Sequence, residues 1–309
     1  MRALFPEARA VSVPQTILPI FLLIILGYVL ARRGALNPET NKALGNLAFK
    51  LFMPMVLFTG MVNAPLHDGL NVKVLVAYFV PALAVFAMVN LLAHRFIGHP
   101  TPFGLTAAFG NNALIGIPMV VGLFGSGGLV LLFTILAVHS LLLFSFQSLY
   151  NSFFGSEPFR PSTLIASLAN PMIIGLLLGV AVNLTNLTLP GWSLQLTGWL
   201  AQAALPCALI VLGANLSGYR LRPSVYAVGI TFGKLIVLPL LVLLACELLN
   251  ITGMPRGVLV LMAANPCGVN VLGFARSTED SQKTSSAICL STIVSAATLP
   301  LWMWINSLL

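Results

Sequence analysis

Several apolar runs of more than eighteen residues constrain the fold of this chain more than any other feature. The hydrocarbon core of a bilayer is about 30 Å thick, and a helix needs roughly 20 mostly apolar residues to cross it. With 58% hydrophobic and 7% charged residues, the chain has too little polar surface for a soluble domain of 309 residues. The sequence therefore predicts an all-α polytopic membrane protein.

The hydropathy pattern predicts ten transmembrane helices joined by short connections. Their approximate limits are 14–31, 40–62, 73–96, 102–124, 127–150, 164–186, 192–216, 224–249, 255–276 and 284–307. The longest polar gap, 151–162, divides the chain into repeats of five spans each, 1–150 and 151–309. Because five is odd, the second repeat must cross the membrane in the opposite sense, which makes the two repeats inverted.

Loop charges predict the orientation, because cytoplasmic loops carry an excess of Lys and Arg. One side of the predicted topology carries nine such residues: Arg32, Arg33, Lys42, Arg95, Arg160, Arg220, Arg222, Arg276 and Lys283. The other side carries four: Arg2, Arg9, Lys73 and Arg256. We therefore place the first set in the cytoplasm of a cell membrane, with both termini extracytoplasmic.

Helix-breaking residues and amides interrupt the fourth and ninth spans. They are Gly110, Asn111, Asn112, Gly116 and Pro118 in the fourth span and Asn265, Pro266, Gly268 and Asn270 in the ninth. A backbone group left unpaired in lipid costs several kcal/mol, so breaks persist only where protein or a cavity satisfies them. Two ordinary kinked helices with interhelical asparagines would explain one such span. Breaks at equivalent places in both repeats favour a transporter's binding site.

The interrupted spans carry a family resemblance. "GNNALIGIPMVVGLFG" (110–125) and "PCGVNVLGFARS" (266–277) resemble the fourth- and ninth-span motifs of the auxin efflux carrier family, best known from plant PIN-FORMED proteins. "ALPCALIVLGANL" (204–216), "GKLIVLPLL" (233–241), "LST" (290–292) and "TLP" (298–300) also fit, so the resemblance covers essentially the whole chain. Compact bacterial members of that family include carriers assigned to malonate.

The resemblance implies a fold like that of Na⁺/H⁺ antiporters and bile-acid transporters, with broken helices four and nine crossing at the bilayer midplane. Spans 14–31, 40–62, 164–186 and 192–216 would form a scaffold, which could pair in a homodimer, and 73–150 and 224–307 would form a moving transport domain. The crossover residues carried over are Asn111 with Asn112, and Pro266 with Asn265 and Cys267. Two positions depart from the plant motifs: Gly110 replaces proline, and Asn270 replaces valine, which suggests a more polar substrate.

Three basic or titratable side chains fall inside the spans: Lys50, Lys234 and His139, whereas every Asp and Glu lies at a span end or in a loop. Embedded ionisable groups are functional candidates, and the N-terminus of a half-helix favours anions. Lys50 could instead snorkel to the interface, and His139 could be a structural imidazole or a proton carrier. Lys234 could donate to carbonyls freed at the breaks, in place of the cation of related Na⁺-coupled carriers.

These features predict a carrier of small organic anions that works by alternating access, with substrate amides at Asn111, Asn112, Asn265 and Asn270 and helix breaks at Gly110, Gly116, Pro118 and Gly268. A Na⁺- or H⁺-coupled organic acid importer of the same fold is the alternative. The four cysteines lack metal-ligand spacing, and we expect no metal, no cofactor, no catalytic site and no nucleic-acid partner. A membrane-embedded enzyme or a sensor is disfavoured. Tryptophans near span ends, Trp302 and Trp304 among them, are expected to be interface anchors.

Overall fold

The computed structural model describes residues 13–62, 64, 72–155, 171–185, 187–219 and 224–309. The α-helices are α1 (Val13–Arg32), α2 (Pro38–Leu47), α3 (Met53–Val62), α4 (Val72–Ile97), α5 (Phe103–Ala108), α6 (Ile117–Phe154), α7 (Pro171–Leu184), α8 (Gly191–Gly218), α9 (Val225–Phe232), α10 (Leu238–Leu248), α11 (Gly253–Ala264) and α12 (Thr278–Leu308). The described residues also form three π-helical segments, Ala48–Phe52, Asn112–Gly116 and Gly233–Val237. One 3-10 helix spans Val269–Phe274. The start of predicted span 164–186 and the loop cations Arg2, Arg9, Arg160, Arg220 and Arg222 lie outside these residues.

Seven helical stretches among the described residues are long and apolar enough to cross a membrane. They are Gln15–Arg32, Pro38–Val62, Val72–Ile97, Gly127–Phe154, Gly191–Gly218, Val225–Leu248 and Thr278–Leu308. Three shorter apolar helices, Asn112–Gly125, Pro171–Leu184 and Gly253–Ala264, overlap predicted spans four, six and nine. The first of them ends at Gly125, whose dihedral angles (φ 63°, ψ −158°) divide α6 into two helical pieces. The all-helical, multi-pass architecture is confirmed, and the count of ten spans stays a prediction.

Each π-helical segment is followed, two residues later, by a proline: Pro54, Pro118 and Pro239. Proline has no N–H, and its ring collides with the carbonyl of the residue four positions earlier in an α-helix. A wider π turn just before the proline moves that carbonyl out of its α-helical position. A proline thus follows each widened turn, but proline alone does not produce one. Four other prolines lie inside α-helices without a π-helical segment: Pro19, Pro81, Pro206 and Pro300.

One compact unit comprises Met1–Gly69, Ile117–Ala137 and Leu168–Gly218. Within it, glycines bring helices into close contact. A Cβ atom at Gly213 of α8 would overlap the backbone of Ile24 in α1, and one at Gly27 would overlap the backbone of Ile210. Small residues at a helix interface let backbones approach in this way. Close packing of α1 on α8 thus depends on the absence of side chains at these two positions.

The second compact unit comprises Leu70–Gly116, Val138–Ser167 and Tyr219–Leu309. Its core contains two short helices, α5 and α11, and every residue of α5 is buried. All residues of α11 from Arg256 to Ala264 are buried as well. A helix that is apolar all round is expected to be enclosed by protein or lipid. Both half-helices therefore end inside this unit, where the candidate site lies.

Candidate functional site

The chain leaves helical conformation at two places in the second unit. After α5, Phe109 is extended (φ −87°, ψ 107°), and the π-helical segment begins at Asn112. After α11, Asn265 (φ −59°, ψ 147°) and Gly268 (φ −76°, ψ 143°) are also non-helical, and the 3-10 helix begins at Val269. Each predicted interruption is therefore a short extended segment between two helical pieces.

The two extended segments pair with each other as an isolated antiparallel bridge between Gly110 and Cys267. The Asn111 N–H donates to the Pro266 carbonyl at 2.8 Å, and the Gly268 N–H donates to the Phe109 carbonyl at 2.9 Å. Buried backbone groups require such partners, and each break supplies what the other lacks. Neither break would be stable alone in an apolar interior, so the two form one structural element.

Glycine at two positions permits this pairing because a side chain would not fit. A Cβ atom at Gly268 would lie 2.5 Å from Phe109 Cδ1, and one at Gly110 would lie 2.9 Å from Asn112 Oδ1. Gly116 and Pro118 were predicted as break residues as well, and they lie at the end of the π-helical segment and just after it. Gly116 has helical dihedral angles (φ −64°, ψ −45°), and Pro118 lies in the first turn of α6. Pro118 therefore follows a π-helical turn, as Pro54 and Pro239 do.

A chain of buried polar side chains runs from the paired breaks into the second unit. Asn265 Nδ2 lies 2.8 Å from Asn112 Oδ1, and Asn112 Nδ2 lies 2.9 Å from the Tyr78 hydroxyl. That hydroxyl lies 3.4 Å from His139 Nε2, and the imidazole stacks on Phe109 with ring centroids 4.3 Å apart. All four hydrogen-bonding side chains are at most 1% exposed. The structure thus connects two predicted amides with His139 through Tyr78, which the sequence analysis missed.

Two polar atoms at the paired breaks have no hydrogen-bond partner among the described residues. They are Asn111 Nδ2, a donor, and Asn265 Oδ1. Leaving such a buried group unsatisfied costs about 1–3 kcal/mol. Unpartnered buried amides are rare in native proteins, and a bound molecule is one explanation for them. This pair of atoms therefore marks where a ligand could bind.

Lys234 is fully buried and lies in the third π-helical segment. Its Nζ donates to the Ala263 carbonyl at 2.5 Å. Ala263 is among the last four residues of α11, whose carbonyls have no further turn to bond with, and a cation at a helix C-terminus is favourable. The ammonium group therefore binds the end of the half-helix that precedes the second break.

Trp302 supports the segment that carries Lys234. Its indole Nε1 donates to the Leu235 carbonyl at 2.8 Å. Leu235 lies four residues before Pro239, so this is the carbonyl that the missing proline N–H leaves without an α-helical partner. The predicted role of Trp302 as an interface anchor is wrong, because its side chain is buried. Trp304, by contrast, is 58% exposed.

Two predicted site residues have exposed side chains. Asn270 lies on the 3-10 helix and is exposed, and Lys50 is exposed in the first π-helical segment. Cys267 is buried in the bridge, where Ser291 Oγ accepts from its backbone N–H at 3.1 Å. Within the described part of the chain, no group of three or more His, Cys, Asp and Glu side chains is arranged to hold a metal ion.

A multi-pass helical protein whose buried half-helices meet at paired breaks has the features of a membrane transporter. The chain belongs to the family described as "Membrane transport protein", the auxin efflux carrier family, whose sequence model matches residues 12–155 and 159–303. Members of this family are membrane transporters and not enzymes.

Relatives from several organisms match nearly the whole chain. An "Uncharacterized transporter" of Methanothermobacter thermautotrophicus is 30% identical over 93% of this chain and 96% of its own length. "Uncharacterized transporter MJ1031" of Methanocaldococcus jannaschii is 27% identical over 94% and 98%. The "Putative malonate transporter" of Rhizobium meliloti is 28% identical over 92% of each chain.

Proposed function

We propose that this protein is a secondary carrier of small organic anions and binds them at the paired breaks of the second unit. The unpartnered donor Asn111 Nδ2 carries this proposal, because it is a buried amide at a helix N-terminus. A carboxylate oxygen accepts hydrogen bonds from such donors and from the free N–H groups of a first helical turn. The buried ammonium group of Lys234 adds positive potential to the same unit.

Mono- or dicarboxylates are the substrate class, with malonate and auxin-like weak acids as the leading candidates. Malonate is suggested by the name of the Rhizobium meliloti relative, which is 28% identical. The driving force on a monovalent anion in a negative-inside cell is outward, about 2.3 kcal/mol per 100 mV. Uniport would therefore favour efflux, whereas import would need coupling to Na⁺ or H⁺.

Alternating access would move the anion site past a scaffold in a cell membrane with both termini outside. The two inverted repeats would be 1–150 and 151–309, and the paired breaks in spans four and nine would form the crossover. Pairing of two copies through the scaffold, as in the family, is part of this proposal. Short broken helices with facing N-termini are what transporters of this kind use at the midplane.

Transport by purified protein in proteoliposomes tests the proposal. Uptake of radiolabelled malonate, succinate and indole acetate would be measured with and without Na⁺, pH and potential gradients. We expect at least one anion to move, and Asn111→Ala to raise its KM by about tenfold or more, since a hydrogen bond to a charged group contributes about 1.5–3 kcal/mol. The exposed Asn46 of α2 supplies the matched control, Asn46→Ala. Failure of every anion to move or to compete would exclude this function.

A further inference from the structure

We infer that Tyr78 and His139 are positioning residues that set the direction of hydrogen-bond donation along the buried amide chain, and so decide whether Asn265 offers an acceptor or a donor to the bound anion. This inference rests on the proposed anion site. It starts from the continuity of the chain Asn265–Asn112–Tyr78–His139, in which every link is a hydrogen-bond contact between buried side chains. Because none of the four is more than 1% exposed, bulk water cannot take the place of a link.

The chain has a defined direction in the structure. Asn265 Nδ2 donates to Asn112 Oδ1, and Asn112 Nδ2 donates to the Tyr78 oxygen. Tyr78 has a single hydroxyl proton, which is then free to point at His139 Nε2. His139 must accept through Nε2, so its ring carries its proton on Nδ1. In this direction the chain ends in Asn265 Oδ1, the buried acceptor without a partner among the described residues.

The same positions also allow the opposite direction. With a proton on His139 Nε2, the imidazole donates to the Tyr78 oxygen, and the hydroxyl donates to Asn112. Each amide turns by 180°, which exchanges its oxygen and nitrogen and keeps every link. The chain then ends in Asn265 Nδ2, which presents N–H donors where Oδ1 was. This proton comes from solution and gives the imidazolium, since a transfer between the two ring nitrogens would leave anion binding independent of pH.

An anion distinguishes between these two directions. A carboxylate oxygen only accepts hydrogen bonds, so a buried Oδ1 facing it repels it, whereas N–H donors bind it. Anion binding at Asn265 therefore favours the direction that requires a proton on His139 Nε2. By linkage, a proton supplied to His139 strengthens anion binding by the same factor. Tyr78 and His139 would thus couple proton uptake to anion binding without a carboxylate side chain.

The groups around His139 allow two effects on anion binding to be separated: the direction of hydrogen bonding along the amide chain, and the direct effect of charge. From α4, Tyr78 and Phe79 contact the imidazole, and Phe109 stacks on it. A positive charge on Lys234 repels a positive charge on the imidazole. Of these, only the Tyr78 hydroxyl can transmit the direction of hydrogen bonding to the amides. Removing that hydroxyl leaves both His139 and Lys234 in place.

Tyr78→Phe is therefore the decisive variant, and Tyr150→Phe is its matched control. The Tyr150 hydroxyl also contacts a histidine of the same unit, His94 Nδ1 at 3.3 Å, but not the amide chain. The KM for malonate, expressed as the dianion concentration, would be measured in proteoliposomes from about pH 6.5 to about pH 8. We expect it to fall with falling pH in the wild type and in Tyr150→Phe, by up to about tenfold per pH unit, the limit for one linked proton. Tyr78→Phe should show no pH dependence, although His139 is present.

A pH dependence that persists in Tyr78→Phe, or is absent from the wild type, would overturn the inference. A second readout does not depend on transport. Proton-detected ¹⁵N spectra of histidine-labelled protein in nanodiscs report which ring nitrogen carries the proton, and His139→Gln identifies the relevant signals. Saturating malonate should add a proton to Nε2 in the wild type, so that both ring nitrogens are protonated, and an unchanged His139 signal would also overturn the inference. Absence of anion transport by the wild type, in contrast, would defeat the proposed function.

Discussion

The hydrogen bond from Trp302 to the Leu235 carbonyl provides a direct test of how this fold tolerates proline inside its spans. Trp302→Phe removes the indole donor, and Pro239 offers Leu235 no N–H in exchange. Leu235 is 1% exposed, so water cannot replace the indole as a donor to its carbonyl. An unsatisfied buried carbonyl costs about 1–3 kcal/mol. We expect Trp302→Phe to lower the free energy of unfolding by about that amount.

A double-mutant cycle separates this hydrogen bond from the loss of ring volume. Pro239→Ala restores a backbone N–H that can reach Leu235, so Trp302→Phe should cost about 1–2 kcal/mol less in that background. Unfolding would be followed by far-UV circular dichroism during SDS titration in mixed micelles. Trp304→Phe, on the same helix and 58% exposed, is the control and should cost less than about 0.5 kcal/mol. Equal costs for Trp302→Phe in both backgrounds would refute the explanation.

Two further predictions concern the buried cation and the glycine contacts. Lys234→Met keeps an unbranched side chain without the amino group. We expect anion uptake in proteoliposomes to fall by about tenfold or more, since the positive charge proposed to attract the anion is lost and about 1.4 kcal/mol corresponds to tenfold. The exposed Lys42→Met should retain uptake, and normal uptake by Lys234→Met would contradict an electrostatic role. Gly213→Ala would place Cβ against the Ile24 backbone and should cost about 1–3 kcal/mol of unfolding free energy. Gly218→Ala, with no atom within 4 Å of its Cβ, should cost much less. Equal losses of unfolding free energy in the two variants would show that the close approach of α1 and α8 does not require glycine at position 213.

Much of the candidate site could be predicted because helix breakers and amides are local signals. The interruptions near Gly110 and Pro266 follow from the conformational limits of glycine and proline in an apolar run. Lys234 could be predicted as a functional candidate because a lysine deep in a span cannot easily reach the membrane interface. Gly116 and Pro118 belong to the same cluster of helix breakers, and the structure places them at the end of the π-helical segment and just after it.

The roles of Tyr78 and Trp302 could not be predicted in this way. Tyr78 lies in an apolar stretch of α4 that reads as an ordinary span, and its hydroxyl meets Asn112 only because α4 packs beside the breaks. Trp302 lies near the end of a span, where tryptophans usually anchor to the interface. Its partner, Leu235, is 67 residues away along the chain. No local pattern signals a hydrogen bond of that sequence separation.

The sequence by itself determined the membrane class, the helices and the places where two of them must break. These are properties of single segments, since burial in lipid obliges each segment to satisfy its own backbone or to meet a partner. Only the tertiary structure decided which groups became those partners. It paired Phe109–Asn111 with Pro266–Gly268 and directed Lys234 to Ala263. It also joined two asparagines to His139 through Tyr78, because hydrogen bonds between elements depend on packing distances that no single segment encodes.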